Sequence, residues 1–409
     1  MPAASLSSLA VVLATAFVAR LLLGLAPRFR LPGVVLEIIF GIIIGPAVLG
    51  WAHADQPVAL LATLGVTFLL FLAGLEVDLA QYRGALARLV GIGFLLSFVL
   101  AVVAGESLAA LGVVRNPLLI AVALTATSLG LVVPVLGEAG ATSTTLGRFV
   151  IASASLGDVG AVLLLSLLFS RDTSTTSTRL VLLGAFALAV VIVGWSVLHA
   201  GRSTRISGLL VRLQDTSAQI RVRGAMVILI GLVVLAQHTG LETILAAFVA
   251  GGLLGFVDRD AMTTHPQFQV KLDAIGHGFL VPIFFVASGV RFDLRALTDH
   301  PAQLARVPLF ALALLFVRGL PALLYRSQLG ARQVVAAGLF QATSLPFLVT
   351  AAMIGNEIGA LTNANAAALV GAGLLSALLF PVIAVTLLKG DVASDASASG
   401  APQAEAAAV

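Results

Sequence analysis

The sequence predicts an all-α polytopic membrane protein of thirteen transmembrane helices, built as two inverted repeats around a pair of crossed, discontinuous helices. Three observations carry that prediction. Hydrophobic residues make up 59% of the 409-residue chain and charged residues only 10%, against roughly 25% charge in a soluble domain; the mean hydropathy is +1.10. Thirteen apolar runs have about the length, roughly 17–25 residues, that crosses a bilayer. Short motifs recur in the same order in the first six runs and the last six.

In chain order the runs are 6–25, 32–51, 57–76, 86–106, 117–137, 147–169, 178–200, 224–239, 241–257, 272–290, 304–324, 332–354 and 364–388. The first has no basic residue before Arg20. A cleaved signal peptide needs a positive n-region, so this run reads as a retained span. The eighth and ninth are short and nearly fused. The tail 390–409 is Ala/Ser-rich with three acids, a composition that predicts disorder. With the N-terminus outside, fifteen of the 23 Lys and Arg fall in inside segments and six in outside ones. The positive-inside rule therefore predicts N-out, C-in, the 291–306 loop being the part that disagrees.

Composition also excludes. The net charge of +4 comes from arginines scattered between apolar runs, with no basic stripe interleaved with aromatics, which argues against nucleic acid. Cysteine is absent, so disulfides, thiolate metal sites and cysteine nucleophiles are ruled out. The six histidines form no cluster with metal-ligand spacing, and no cofactor is expected.

The repeats are collinear. Ala126-Thr127-Ser128-Leu129 recurs as Ala342-Thr343-Ser344-Leu345, each copy inside a span and followed by a proline, Pro134 or Pro346. Gly74-Leu75-Glu76-Val77-Asp78-Leu79 recurs as Gly289-Val290-Arg291-Phe292-Asp293-Leu294, and Gly41 and Gly45 match Gly251 and Gly255. Every match joins span n to span n+7. An odd shift sets the copies in opposite orientations, so helices 1–6 and 8–13 form the inverted repeats of a secondary transporter. The fifth and twelfth spans are then the expected broken pair, since non-helical backbone at membrane depth is tolerated only beside protein or a cavity.

Asp158 lies near the middle of the sixth span. A carboxylate at that depth costs at least ~2.5–3.5 kcal/mol, which makes it a functional-site hypothesis. Burial disfavours the charged form of a carboxyl and a nearby cation favours it. One such group can therefore hold a proton or a metal cation, but not both well. Thr127, Ser128, Thr343 and Ser344 would add hard oxygens suited to a small alkali cation, and Ser155, one turn before Asp158, is a further candidate ligand. Arg318, deep in the eleventh span, does not deprotonate; its expected task is to compensate charge at the broken helices or to pair with Asp158. Glu37 and Gln341 are candidates for the ion pathway.

Ser155-Leu156-Gly157-Asp158 also looks like the signature of intramembrane aspartyl proteases. That chemistry needs a second intramembrane Asp sharing a proton, and no other span holds one in its interior, Asp273 being at the very start of the tenth, so no enzymatic activity is expected. A channel, or a sodium-coupled anion or solute transporter, is the alternative on the same inverted-repeat fold.

In order, LPGVVLEIIFGIIIGPAVLGW, LLFLAGLEVDL, ALTATSLGLVVPVL with SLGDVGAV, LAAFVAGGLLG and PIFFVASGVRFDL resemble the monovalent cation:proton antiporters of the second subfamily, over about residues 6–388. The resemblance implies exchange of Na⁺ or K⁺ for H⁺ by elevator-like alternating access; with one site acid and a permanently charged Arg318, one proton per cation, and so electroneutral exchange, is expected in the cell (inner) membrane. It implies a homodimer formed by a panel domain (helices 1–3 in 1–83 and 8–10 in 224–300). The core domain would comprise helices 4–6 in 84–170 and 11–13 in 301–389, with 171–223 a linker helix and basic cytoplasmic loop. Asp158 matches the family's ion- and proton-binding Asp, Thr127 and Ser128 the first crossover, Gln341 to Pro346 the second, and Arg318 the usual basic position. Two residues depart from the pattern. Gly157 stands where relatives carry Asp, Asn or Gln, and Thr343-Ser344 where many carry Gly-Glu.

Overall fold

The computed structural model describes residues 6–25, 32–76, 84–169, 184, 188, 190–193, 219–238, 243–258, 267–298 and 301–398. These residues form helices joined by turns and short extended stretches, and contain no strand. In order they form α1 (Ser7–Leu25), α2 (Gly33–Ile44), α3 (Gln56–Glu76), α4 (Gly84–Ala110), α5 (Pro117–Thr125), α6 (Leu129–Glu138) and α7 (Thr145–Leu168). The second half contains α8 (Ile220–His238), α9 (Thr243–Asp258), α10 (Phe268–Val290), α11 (Pro301–Ser327), α12 (Ala331–Gln341), α13 (Pro346–Glu357) and α14 (Asn363–Ala398). Among the described residues ten segments, counting α5 with α6 and α12 with α13, are long and apolar enough to cross a membrane; Gly33–Ile44 and Thr243–Phe256 are shorter apolar helices. The chain is a multi-pass membrane protein. Most of the expected seventh span and its basic loop, together with Asp78 and Glu242, lie outside the described residues.

Two expected boundaries move. The second span was expected over 32–51, but α2 ends at Ile44, because Gly45 takes an extended conformation (φ −73°, ψ 176°) ahead of Pro46. A residue before proline is pushed out of the α region. The chain then turns back, with the N–H groups of Leu49, Gly50, Trp51 and Ala52 donating to carbonyls between Ile43 and Gly45. At the other end, 390–409 was expected to be disordered; α14 is helical as far as Ala398, and 399–409 lie outside the described residues.

The breaks fall where the repeated motif sits. α5 stops at Thr125, whose hydroxyl donates to Val122 O at 2.7 Å; such bonding back to the helix competes with its continuation. Ala126 and Ser128 are extended before α6 starts. In the second copy, α12 stops at Gln341 and α13 restarts at Pro346, a residue that can begin a helix but not continue one. The prolines thus act differently: Pro346 opens its half-helix, whereas Pro134 lies inside α6.

Two glycine contacts frame the remaining helices. Gly41 of α2 and Gly289 of α10 approach so closely that a Cβ on either would strike the other helix's backbone, at Val286 O and Ile38 O respectively. Gly74 of α3 and Gly251 of α9 meet in the same way, against Phe248 O and Phe71 O. Small residues that bring backbones together drive packing where lipid removes the hydrophobic incentive. The motif matches pair Gly41 with Gly251 and Gly74 with Gly289. The α2–α10 seam and the α9–α3 seam are therefore counterparts of one another.

Candidate functional site

The two breaks touch. The Thr127 hydroxyl donates to Gln341 O at 2.6 Å, and Ser128 N–H donates to Thr343 O at 2.9 Å. These bonds satisfy polar groups that the interrupted helices leave open, which at this depth water cannot do. A cavity of about 1770 Å³ ends on this junction, lined there by Thr127, Ser128, Leu129 and Asp158 and by Pro346 and Phe347. It runs past Arg20, Glu76, Glu138 and His277 toward the end of the bundle where α1, α3 and α6 finish and α2 begins. Three carboxylates against one arginine give the wall an acidic bias that concentrates cations.

Asp158 is half-buried on α7, and its Oδ2 accepts from Leu129 N–H at 3.4 Å. Leu129 is the first residue of α6, so the carboxylate meets the partially positive N-terminus of that half-helix. Asp158 also lines the cavity. Among the described residues no group of three or more His, Cys, Asp or Glu could hold a metal. Any cation here would rely on one carboxylate, hydroxyls and backbone carbonyls, an all-oxygen donor set suited to a hard cation.

Arg318 lies behind the junction, fully buried in a π-helical turn of α11. Its Nε donates to Thr127 Oγ1 at 2.8 Å, Nη1 to Ser97 Oγ at 3.3 Å, and Nη2 to Ser153 O at 3.0 Å and Ser153 Oγ at 3.5 Å. The expected pairing with Asp158 is not made in this conformation. The guanidinium is held by neutral oxygens from α4, the first break and α7.

Several sequence candidates do not reach the cavity. Ser155 is 1% exposed, its hydroxyl has no hydrogen-bond partner, and it is not among the lining residues. A residue three positions away on a helix points about 60° off, enough to carry it into the packed interior. Thr343 and Ser344 are also fully buried and away from the cavity. The Thr343 hydroxyl donates back to Leu339 O at 3.0 Å, and Ser344 N–H donates to Ser376 Oγ at 3.2 Å. Gln341 contributes its backbone carbonyl to the junction, while its side-chain amide is buried without a partner. Glu37 is buried at 0% exposure and pairs with Arg20, whose Nε lies 2.8 Å from Oε1; of that pair only Arg20 lines the cavity.

Sequence reasoning passed over Glu76, Glu138 and Arg20 as cavity-lining groups, and Ser97, Ser153 and Ser376 as partners. Glu76 reads as a span end because its depth depends on how α3 packs. Ser376 carried a usable signal, since it lies near the position related to Asp158 by the repeat.

A multi-pass helical bundle whose one-sided cavity ends on two touching helix breaks has the architecture of a secondary transporter. The chain belongs to the sodium/hydrogen exchanger transmembrane family, whose profile matches residues 13–390; this family is one of transporters rather than enzymes. It is 27% identical over 370 residues to an Na⁺/H⁺ antiporter of Enterococcus hirae, covering 87% of this chain and 91% of that one. It is 29% identical over 405 residues to YjbQ, a candidate Na⁺/H⁺ antiporter of Bacillus subtilis, covering 94% of this chain and 63% of that longer protein. The solved structure of a sodium proton antiporter from Methanocaldococcus jannaschii at pH 8 superposes with a TM-score of 0.63 at 18% identity, covering 93% of this chain and 96% of the other.

Proposed function

We propose that this chain is a secondary antiporter that exchanges one monovalent cation, Na⁺ or K⁺, for one proton by alternating access. Asp158 binds the two ions in competition, with Thr127 and Ser128 as the neighbouring oxygen ligands. The observation that carries this reading is the position of Asp158. It is the carboxylate at the foot of an acid-biased cavity, set against a half-helix N-terminus. Thr343, Ser344 and Gln341 support the breaks from behind in this conformation through their backbone groups, Ser155 stays packed in the interior, and Arg318 compensates charge without titrating.

The further arrangement belongs to the same proposal. Thirteen spans run N-out, C-in, so the cavity opens to the cytoplasm and the conformation is inward-facing. Panel helices in 1–83 and 224–300 form a homodimer in the cell membrane. The core helices in 84–170 and 301–389 move against them. Two supports come from the structure: the counterpart glycine seams, and the shared shortness of α2 and α9, which the repeat relates.

The test uses purified protein in proteoliposomes with a trapped pH dye. Addition of Na⁺ or K⁺ is expected to collapse an imposed proton gradient, and Asp158→Asn to abolish the response. Normal exchange by Asp158→Asn overturns the mechanism. Competition also predicts that the apparent cation KM falls as pH rises, by about tenfold per pH unit where one proton dominates the site. A pH-independent KM would separate proton and cation sites. A strong dependence on a valinomycin-clamped voltage would overturn the one-for-one stoichiometry.

A further inference from the structure

Gly157 and Arg318 fit one another in a way that the chain's departure from its relatives does not reveal by itself. The Arg318 guanidinium lies along α7, bonded to Ser153 one turn before Gly157. A Cβ built on Gly157 would stand 2.7 Å from Nη2 and 3.2 Å from Cζ of Arg318, and 3.3 Å from Thr125 O. An exposed arginine would swing aside from such a contact. This one is fully buried and tied to Thr127, Ser97 and Ser153, so moving it breaks bonds at three elements.

The tie to Thr127 gives the contact its reach. The same hydroxyl that accepts from Arg318 donates to Gln341 O, the bond that joins the two breaks. Two residues further on, Leu129 N–H donates to Asp158. A displaced guanidinium therefore loosens Thr127, the junction and the helix end facing Asp158, in that order.

We infer that Gly157 and Arg318 form an interlocked pair: the glycine leaves the socket that the guanidinium fills, and Arg318 is a positioning residue that sets the first break, and through it the ion site, without touching the ion. The guanidinium therefore lies against α7 at the residue immediately ahead of Asp158. The inference rests on the exchange reading for its transport consequences, but not for the interlock itself.

The experiment is a double-mutant cycle on the full chain with Gly157→Asn, Arg318→Lys and both together, read in two ways. The first readout is the thermal midpoint in detergent. The second is cation KM against Vmax in the proteoliposome assay. Gly157→Asn is expected to lower the midpoint and raise KM about tenfold, by pushing the guanidinium off Thr127. Arg318→Lys loses the planar fork and is expected to raise KM about threefold. Because an ammonium on a narrow stem leaves room beside residue 157, the double variant is expected to match Arg318→Lys within about twofold in KM and to melt no lower. Additive losses in the double variant overturn the interlock, as does a Gly157→Asn protein with the parent midpoint and KM. If Gly157→Asn does not fold, the cycle is run with Gly157→Ala, whose single methyl meets the same Nη2, under the same criteria. A non-additive midpoint cycle in a protein that exchanges no cation supports the interlock and overturns the exchange reading. An additive cycle in an active exchanger does the reverse.

Discussion

The two helix breaks share a motif and part ways in their chemistry. Both interrupt the helix at Ala-Thr-Ser-Leu, and both have a backbone N–H capped by a side chain from a neighbouring helix. At the first, Leu129 N–H donates to the carboxylate of Asp158 on α7. At the second, Ser344 N–H donates to the hydroxyl of Ser376 on α14, whose oxygen also lies 2.9 Å from Ser344 O and Gly373 O. The cavity is lined by Thr127, Ser128 and Leu129 at the first break but only by Pro346 and Phe347 at the second. A duplicated scaffold thus carries a titratable cap on one side and a neutral one on the other. The symmetry supplies the geometry, and a single residue supplies the charge.

Exchanging the caps is the most direct way to break that contrast. Beyond the loss expected of Asp158→Asn, Ser376→Asp would place a carboxylate in a fully buried site where the serine's hydrogen-bond partners, Ser344 and Gly373, are uncharged. The penalty for an unpaired buried charge is several kcal/mol, so the expected outcome is loss of a monodisperse folded protein. A well-folded Ser376→Asp would mean the second break admits water or ions as the first does. Thr127→Val keeps the shape but removes the hydroxyl that serves both Arg318 and Gln341 O. Leaving those buried groups short of partners is expected to cost about 1–3 kcal/mol, read as a lower thermal midpoint together with a raised cation KM. An unchanged KM would detach the junction from the ion site. Ser376→Ala removes a neutral cap and is expected to cost about 1 kcal/mol, with little effect on cation KM. The smallest effect is expected at Ser344, whose hydroxyl is buried without a partner. Ser344→Ala should leave the midpoint in place or raise it slightly, whereas Ser128→Ala should raise cation KM. Equal KM effects at 128 and 344 would restore the symmetric site that the sequence suggests.

Much of the architecture was legible because bilayer crossing is written in local composition. The apolar runs mark the spans, and Asp158 announces itself by depth alone. The repeated tetrapeptide locates both breaks to within a residue or two. What the runs could not convey was where α2 would stop, since Gly45-Pro46 sits inside an apolar stretch and only its backbone conformation ends the helix. The partners of Arg318 were equally hidden. They lie 165 to 221 residues away in sequence and are a serine, a threonine and a second serine with no pattern linking them. Symmetry also misled: it made Thr343 and Ser344 look like mirror images of Thr127 and Ser128, although side-chain rotation toward Leu339 O and the packing of Ser376 turn the second pair inward. Gly157 reads from sequence as a missing polar neighbour, and only the path of the guanidinium explains the vacancy.

In a saturation scan, Gly41, Gly74, Gly251 and Gly289 are expected to score as harshly as Asp158, because the first atom added to any of them strikes a backbone carbonyl across the seam. None of the four lines the cavity. Intolerance to substitution would therefore outline two different kinds of necessity in this chain, one for assembling the frame and one for handling the ion. Measuring protein abundance in the membrane beside growth or transport would sort them. The seam glycines should vanish from the membrane, whereas Asp158→Asn should arrive there intact and do nothing.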